Sequence, residues 1–159
     1  MIIDQINSVT LPHLNGSRLD IAGELARKPI LLVFYKYNCP TCQFALPFIE
    51  RLYRKYGDGK FKFIAVAQDN EPETAQFRRE YGLNFDIALD KSPYEFSQMF
   101  DFQAVPAVYL ISQDGRVWHK FESFQKSEFE RLNRELADSG ETLKPLFGMN
   151  EDIPALKPG

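Results

Sequence analysis

The sequence contains two cysteines, Cys39 and Cys42, which are separated only by Pro40 and Thr41. A disulfide across so short a loop removes little conformational entropy from the unfolded chain, so fold stabilisation is a poor reason for the pair. Three explanations remain: thiol–disulfide exchange, half of a metal site, or chance. The surrounding sequence distinguishes between these three explanations.

A zinc site is the weaker alternative because two cysteines supply only half of the usual ligands. The chain has two histidines, His13 and His119, and they lack the close His-x₃₋₅-His spacing of zinc-binding pairs. We therefore predict no metal site, and we expect both histidines to be surface residues.

The cysteines lie where a predicted strand gives way to a predicted helix. Residues Ile30–Tyr35 form a continuous apolar run, which is typical of a strand buried on both faces. From Cys42 the apolar residues recur at helical spacing, and Gly57 ends this pattern. This arrangement predicts that Cys39 lies at the first turn of the helix.

The predicted helix start distinguishes the two thiols. Unpaired backbone N–H groups and the positive end of the helix dipole favour the thiolate form of Cys39. Cys42 follows one turn later and is expected to be more buried and less ionised. We therefore predict that Cys39 is the nucleophile that attacks a disulfide and that Cys42 resolves the mixed disulfide.

The remaining sequence predicts one alternating α/β domain. A strand at residues 61–68, a helix that begins at a capping box at Asn70, and a short strand at residues 85–89 come first. A helix after Ser92 that carries residues 96–100, a hairpin at residues 107–121 and a helix from Ser127 follow. The pattern predicts a central mixed sheet flanked by helices at residues 1–140, and an extended C-terminal tail at residues 141–159.

Composition and charge exclude several classes of protein. The chain has 159 residues, 44% of them apolar and 26% charged, which is typical of a globular protein. A net charge of −3 without a basic cluster gives no reason to expect a nucleic-acid or anionic-membrane partner. Neither a membrane-spanning run nor a signal peptide is recognisable, so we expect a cytoplasmic protein, or an exported one if the chain is a shortened form.

Two separated motifs carry a family resemblance that covers roughly residues 8–138. Residues 33–42, with Pro47 after them, resemble the active site of the thioredoxin superfamily, and Ala104–Leu110 resembles its cis-proline loop. The unit Ile64–Asp90 and the lead-in Leu11–Leu25 resemble thiol-disulfide reductases of the alkyl hydroperoxide reductase/thiol-specific antioxidant (AhpC/TSA, redoxin) superfamily.

This resemblance implies a three-layer thioredoxin-like fold with an inserted strand–helix unit. It also implies that the Val105–Pro106 bond is cis and that the Val105 backbone pairs with an extended partner peptide. Tyr37 and Asn38 flank the cysteines and are further candidates for partner binding. The family's usual acids are absent at Val33 and Ala45, which leaves water or Glu50 as candidate proton acceptors for Cys42.

The resulting functional hypothesis is a thiol-disulfide oxidoreductase with antioxidant character that reduces disulfides of partner proteins. It needs no cofactor beyond the Cys39–Cys42 pair, but it needs an external electron donor. One alternative is a peroxidase with Cys39 as the peroxidatic cysteine, although Lys36 and Pro106 replace the residues that peroxiredoxins use. The other is a non-catalytic binding module with a thioredoxin fold.

Overall fold

The computed structural model describes residues 9–137 and 143–159. In chain order the strands are β1 (Thr10–Pro12), β2 (Arg18–Asp20), β3 (Ile30–Tyr35), β4 (Lys62–Ala67), β5 (Asp86–Leu89), β6 (Ala107–Ile111), β7 (Val117–Glu122), β8 (Phe124–Gln125) and β9 (Leu156–Lys157). The helices are α1 (Ile21–Arg27), α2 (Pro40–Tyr56), α3 (Glu71–Tyr81), α4 (Glu95–Gln98) and α5 (Lys126–Leu136).

A mixed sheet with the strand order β5-β4-β3-β6-β7 forms the centre of the protein. Strands β3, β4 and β5 are parallel, whereas β6 runs antiparallel to both β3 and β7. All six residues of the central strand β3 are buried, because helices cover both faces of the sheet. The three-layer α/β fold expected from the sequence is confirmed.

Each face of the sheet has its own hydrophobic core. One core joins the sheet to α2, α3 and α5, and it includes Cys42, Phe77 and Phe129. The other joins the sheet to α1, α4 and the β1–β2 hairpin, and it includes Leu25 and Phe96. The cysteine pair therefore belongs to the α2 face.

The junction of β3 and α2 places the cysteines at the carboxyl end of the central strand. Cys39 is the N-cap residue of α2, and Pro40 occupies the first helical position, where a missing N–H group is tolerated. Gly57 ends the helix with a positive φ of 60°, which a residue with a side chain rarely adopts. The helix then returns to β4, so β3, α2 and β4 form one parallel crossover unit.

The inserted unit expected from the resemblance is present as β4, α3 and β5. The side chain of Asn70 caps α3 by accepting a 2.9 Å hydrogen bond from the Glu73 N–H group, as the capping-box pattern predicts. Gly82 ends α3 in the left-handed conformation.

The helix predicted after Ser92 to carry residues 96–100 ends at Gln98, so that prediction is wrong in its extent. Tyr94, at φ 60°, occupies the N-cap position without a side-chain cap, and Asp90 instead accepts a 2.8 Å bond from the Ser97 N–H group. The segment closes with N–H groups of Met99 and Phe100 bonded to oxygens three residues earlier, a tight turn that ends the α-helix.

Residues 143–159 pack against the domain although little of this segment has regular secondary structure. Leu146 and Phe147 are buried, and β9 pairs with β8 in antiparallel fashion. The predicted boundary between residues 140 and 141 lies outside the described residues.

The two edges of the central sheet are irregular. At one edge, His13 forms an isolated bridge with Ala88 of β5. At the other, the pairing of β6 with β7 shifts register between Leu110 and Ile111. Among the described residues, no helix is both long and apolar enough to cross a membrane.

Candidate active site

Cys39 lies at the amino-terminal end of α2, where the backbone offers N–H groups to its sulfur. Its Sγ accepts a hydrogen bond from the Cys42 N–H group at 3.2 Å. Both cysteines are free thiols, and Cys39 is partly exposed. The helix terminus therefore provides a hydrogen bond and a favourable dipole to a negative charge on the Cys39 sulfur.

Cys42 has the opposite environment, because its side chain is fully buried in the α2 core. Burial is the largest cause that raises the pKa of the Cys42 thiol, followed by its hydrogen bond to Cys39. A backbone hydrogen bond involving Lys36 acts in the other direction but does not cancel the effect. The expected difference in burial between the two thiols is thus present.

The loop that precedes β6 faces Cys39. The Val105–Pro106 peptide bond is cis, which is the conformation that the resemblance implies. The carbonyl oxygen of Val105 lies 3.7 Å from Sγ of Cys39. The pairing of β3 with β6, in which Phe34 lies opposite Ala107, brings this loop beside the start of α2.

Tyr37 and Asn38 lie in the short connection between β3 and α2. The N–H group of Tyr37 donates to Asp69 at 2.8 Å, and its carbonyl oxygen accepts from the Gln43 side chain at 3.0 Å. Tyr37 is half-buried, and Asn38, which directly precedes Cys39, is exposed. Their binding role stays a prediction.

Asp69 is a site residue that sequence reasoning missed. It follows β4 at the same edge of the sheet as the cysteines, because the carboxyl ends of parallel strands meet there. Burial is the main cause that raises the pKa of Asp69 above its usual value. Its negative charge in turn adds to the causes that raise the pKa of Cys42 and of Tyr35.

Tyr35 contributes an unusual polar atom to the same region. It is the last residue of β3, and its hydroxyl is buried without a hydrogen-bond partner among the described residues. Its ring packs on Phe77 with the centroids 4.9 Å apart. The signal that could have identified Tyr35 and Asp69 is their position at the ends of two adjacent parallel strands.

Glu50, a candidate proton acceptor for Cys42, forms hydrogen bonds with other residues in the structure. Its buried carboxylate accepts bonds from the Asn84 N–H group at 2.7 Å, the Asn84 side chain at 2.9 Å and Arg54 at 3.1 Å. These bonds join α2 to the turn before β5. The Glu50 carboxylate therefore has a structural role.

The histidines are not both surface residues, and that expectation is wrong for His13. His13 is buried and bonds to Asp86 at 2.9 Å, because it joins the β1–β2 hairpin to β5. His119 is half-buried and bonds to Glu128. Within residues 9–137 and 143–159, no group of three His, Cys, Asp or Glu side chains is arranged to hold a metal ion.

The chain is similar in sequence to proteins named for thiol–disulfide chemistry. The thiol-disulfide oxidoreductase ResA of Halalkalibacterium halodurans is 31% identical over 116 residues, which are 72% of this chain and 64% of that protein. The chain thus spans slightly less than two thirds of this relative.

Solved structures share the fold. A secreted disulfide oxidoreductase of Mycobacterium tuberculosis, homologous to DsbE of E. coli, has a TM-score of 0.69 at 20% identity and covers 84% of this chain and 97% of its own. A thiol:disulfide interchange protein of the thioredoxin family from Chlorobium tepidum has a TM-score of 0.67 at 17% identity, over 81% of this chain and 93% of its own.

The sequence model of the Redoxin family matches a stretch of this chain that contains both the cysteine pair and the cis-proline loop. It extends over residues 3–136, which is most of the chain. The protein belongs to the Redoxin family.

Proposed function

We propose that the protein is a thiol-disulfide oxidoreductase that reduces disulfide bonds of partner proteins with Cys39 and Cys42. The observation that carries this proposal is the asymmetry of the pair. Cys39 is partly exposed at a helix terminus beside the Val105 carbonyl, whereas Cys42 is fully buried in the α2 core. The names of the sequence relatives support the same class of reaction.

The first step joins the protein to its partner. The thiolate of Cys39 attacks one sulfur of the partner disulfide, a bond forms between the two proteins, and the partner's S–S bond breaks. The second partner sulfur leaves as a thiolate and takes up a proton from water. The N–H group of Cys42, which bonds to the Cys39 sulfur in the free protein, helps to hold the attacking atom in place.

The second step releases the partner. Cys42 loses its proton and attacks Sγ of Cys39, which breaks the intermolecular bond and frees the second partner thiol. Two electrons have then passed from the cysteine pair to the partner, and Cys39 and Cys42 share a disulfide. An external dithiol must reduce this disulfide before the next cycle. The high pKa of Cys42 makes the loss of its proton the more demanding requirement.

The proposal is tested by insulin reduction with dithiothreitol as the electron donor, measured alongside hydrogen peroxide consumption. We expect insulin reduction well above the background rate and peroxide consumption near that of an ordinary thiol. Peroxide turnover that is fast and survives Cys42→Ser would instead support the peroxidase alternative. No turnover in either assay would favour the binding module.

The direction of the reaction is tested by the reduction potential of the pair. A potential of about −270 mV is typical of a reductase such as thioredoxin, whereas one of about −120 mV is typical of a strong oxidant. We expect a value on the reductase side. An oxidant-like potential would keep the dithiol chemistry but reverse its direction.

A further inference from the structure

Residues 155–159 cross the protein next to the candidate active site, and we call them segment 155–159. The segment begins beside the start of α5, where the Ala155 carbonyl accepts a 2.9 Å bond from the Lys126 N–H group. Leu156 and Lys157 then pair with Gln125 and Phe124 in antiparallel fashion. This pairing directs the following residues toward the cis-proline loop.

Pro158 and Gly159 contact the cysteine motif and the cis-proline loop directly. The Thr41 hydroxyl, between the two cysteines, donates to the Pro158 carbonyl oxygen. The Gly159 N–H group donates to Oγ of Ser123 at 2.9 Å. Gly159 lies so close to Val105 that a Cβ atom on it would be 1.9 Å from the Val105 carbonyl oxygen.

Ser123 is held in an uncommon conformation at this place. Its φ of 67° is positive, which is rare for a residue with a side chain. Its own N–H group donates to the Pro106 carbonyl oxygen at 2.8 Å. Ser123 therefore connects the cis-proline loop to segment 155–159 through its backbone and its hydroxyl.

The preceding part of the chain is anchored more firmly than segment 155–159. Arg51 of α2 donates to both carboxylate oxygens of Glu151, at 2.7 and 2.9 Å, and to the Leu146 carbonyl oxygen at 3.1 Å. The buried ring of Phe147 packs on Phe48 with the centroids 5.1 Å apart. Segment 155–159 itself has no buried side chain, and Leu156 is 60% exposed. It can thus leave its place while residues 146–151 remain attached.

On the basis of the proposed function, we propose that segment 155–159 occupies the groove that receives the partner's polypeptide backbone. Thr41, Val105 and Ser123 are the groups that hold this backbone, and the partner must displace the segment to reach Cys39. The occupant indicates the chemistry that the groove accepts: an extended backbone whose two residues at Thr41, Val105 and Ser123 are uncharged, as Pro158 and Gly159 are, with a small residue next to Val105. The hydroxyl of Thr41 donates to a carbonyl oxygen, and that of Ser123 accepts from an N–H group.

The proposal is tested with Gly159→Val, whose side chain cannot fit against Val105. Gly148→Ala is the matched control, because a Cβ at Gly148 would meet its neighbours at an ordinary 3.6 Å. Cys39 of each reduced protein is alkylated with a bulky polyethylene glycol maleimide and with small iodoacetamide. We expect the bulky reagent to react about threefold to tenfold faster in Gly159→Val, the effect of losing one or two ordinary hydrogen bonds. The iodoacetamide rate should change less.

Insulin reduction by the same proteins gives the second measurement. We expect a lower KM in Gly159→Val with little change in kcat, and the same result for a chain that lacks residues 155–159. Thr41→Val should raise the KM of that shortened chain, because the partner backbone loses its hydrogen bond. The proposal would be overturned if Gly159→Val and the chain that lacks residues 155–159 had the same maleimide rate and the same KM as the unchanged protein. Faster maleimide labelling without insulin reduction in any protein would overturn the proposed function and confirm only that the segment shields Cys39.

Discussion

The chemistry of single residues follows from how differently the two cysteines are placed. Cys39 lies at the helix terminus and is partly exposed, whereas Cys42 is buried one turn later. We expect iodoacetamide at mildly acidic pH to label Cys39 more than about tenfold faster than Cys42 in the reduced protein. Mass spectrometry of the labelled peptides measures both rates. Faster labelling at Cys42 would contradict the assignment.

The order of attack gives a second expectation at this scale. Cys42→Ser removes the resolving thiol, so the mixed disulfide between Cys39 and insulin should accumulate on a non-reducing gel. Cys39→Ser leaves only the buried thiol and should form little of this complex. Recovery of equal amounts of mixed disulfide from both variants would show that either sulfur can begin the reaction.

The negative charge of Asp69 is expected to influence the pKa of the Cys42 thiol. Because its negative charge helps to raise the pKa of Cys42, Asp69→Asn should lower that pKa while keeping an oxygen for the Tyr37 N–H group. The thiolate absorbance of Cys42 during a pH titration, in the Cys39→Ser background, measures the change. Glu71→Gln, at an exposed position nearby, is the control. An unchanged or higher pKa in Asp69→Asn would contradict this electrostatic role.

At the scale of elements, Asp86 connects the β1–β2 hairpin to the sheet. Bonds to Lys62 and His13 hold the pKa of Asp86 below its usual value, although burial acts in the opposite direction. A carboxyl with a depressed folded-state pKa stabilises the fold above its unfolded pKa of about 3.9, and this stability is lost as the pH falls through the folded-state value.

Asp86→Asn should therefore destabilise the protein at neutral pH. Because the carboxylate is partly exposed, we expect a loss of only about 1 kcal/mol in the free energy of unfolding. The difference between the variant and the natural protein should shrink in acid. Urea unfolding at several pH values measures it, and a difference independent of pH would contradict the ionic role.

Local patterns were sufficient to predict most of the sheet and its main helices. The predicted strand at residues 61–68 is present, and its apolar side chains alternate between the two cores, with Phe63 and Ala65 in one and Ile64 and Val66 in the other. The spacing after Cys42 correctly predicted α2. These features depend on neighbours in sequence, which is the information that periodicity contains.

Features determined by distant residues were not predictable in the same way. The short α4 depends on bonds to Asp90 and on the packing of Phe100 against Phe34, with ring centroids 4.8 Å apart. Burial of His13 depends on Asp86, which is 73 residues away. The cysteines and the cis-proline were recognisable as motifs, whereas Thr41 and Ser123 gain their contacts only when residues 158–159 return to them.

At the scale of the whole molecule, residues 143–151 contribute to stability as part of the domain. Phe147 is 8% exposed and packs on Phe48 and Phe124. We expect Phe147→Ala to reduce the free energy of unfolding by about 3 kcal/mol, as for other buried aromatic residues. Leu143→Ala, at a 45% exposed position, should cost much less. Equal urea midpoints for the two variants would show that this region adds nothing to the fold.

The irregular edges of the central sheet affect how the protein behaves at high concentration. An open edge strand is a template on which another molecule can add a strand and begin an aggregate. Here the His13 bridge to Ala88 blocks one edge, and the register shift beside Ile111 interrupts the ladder next to the other, where Lys120 adds a charge. Among the described residues, neither edge presents a long, flat and apolar ladder, so the sheet disfavours strand addition from another molecule.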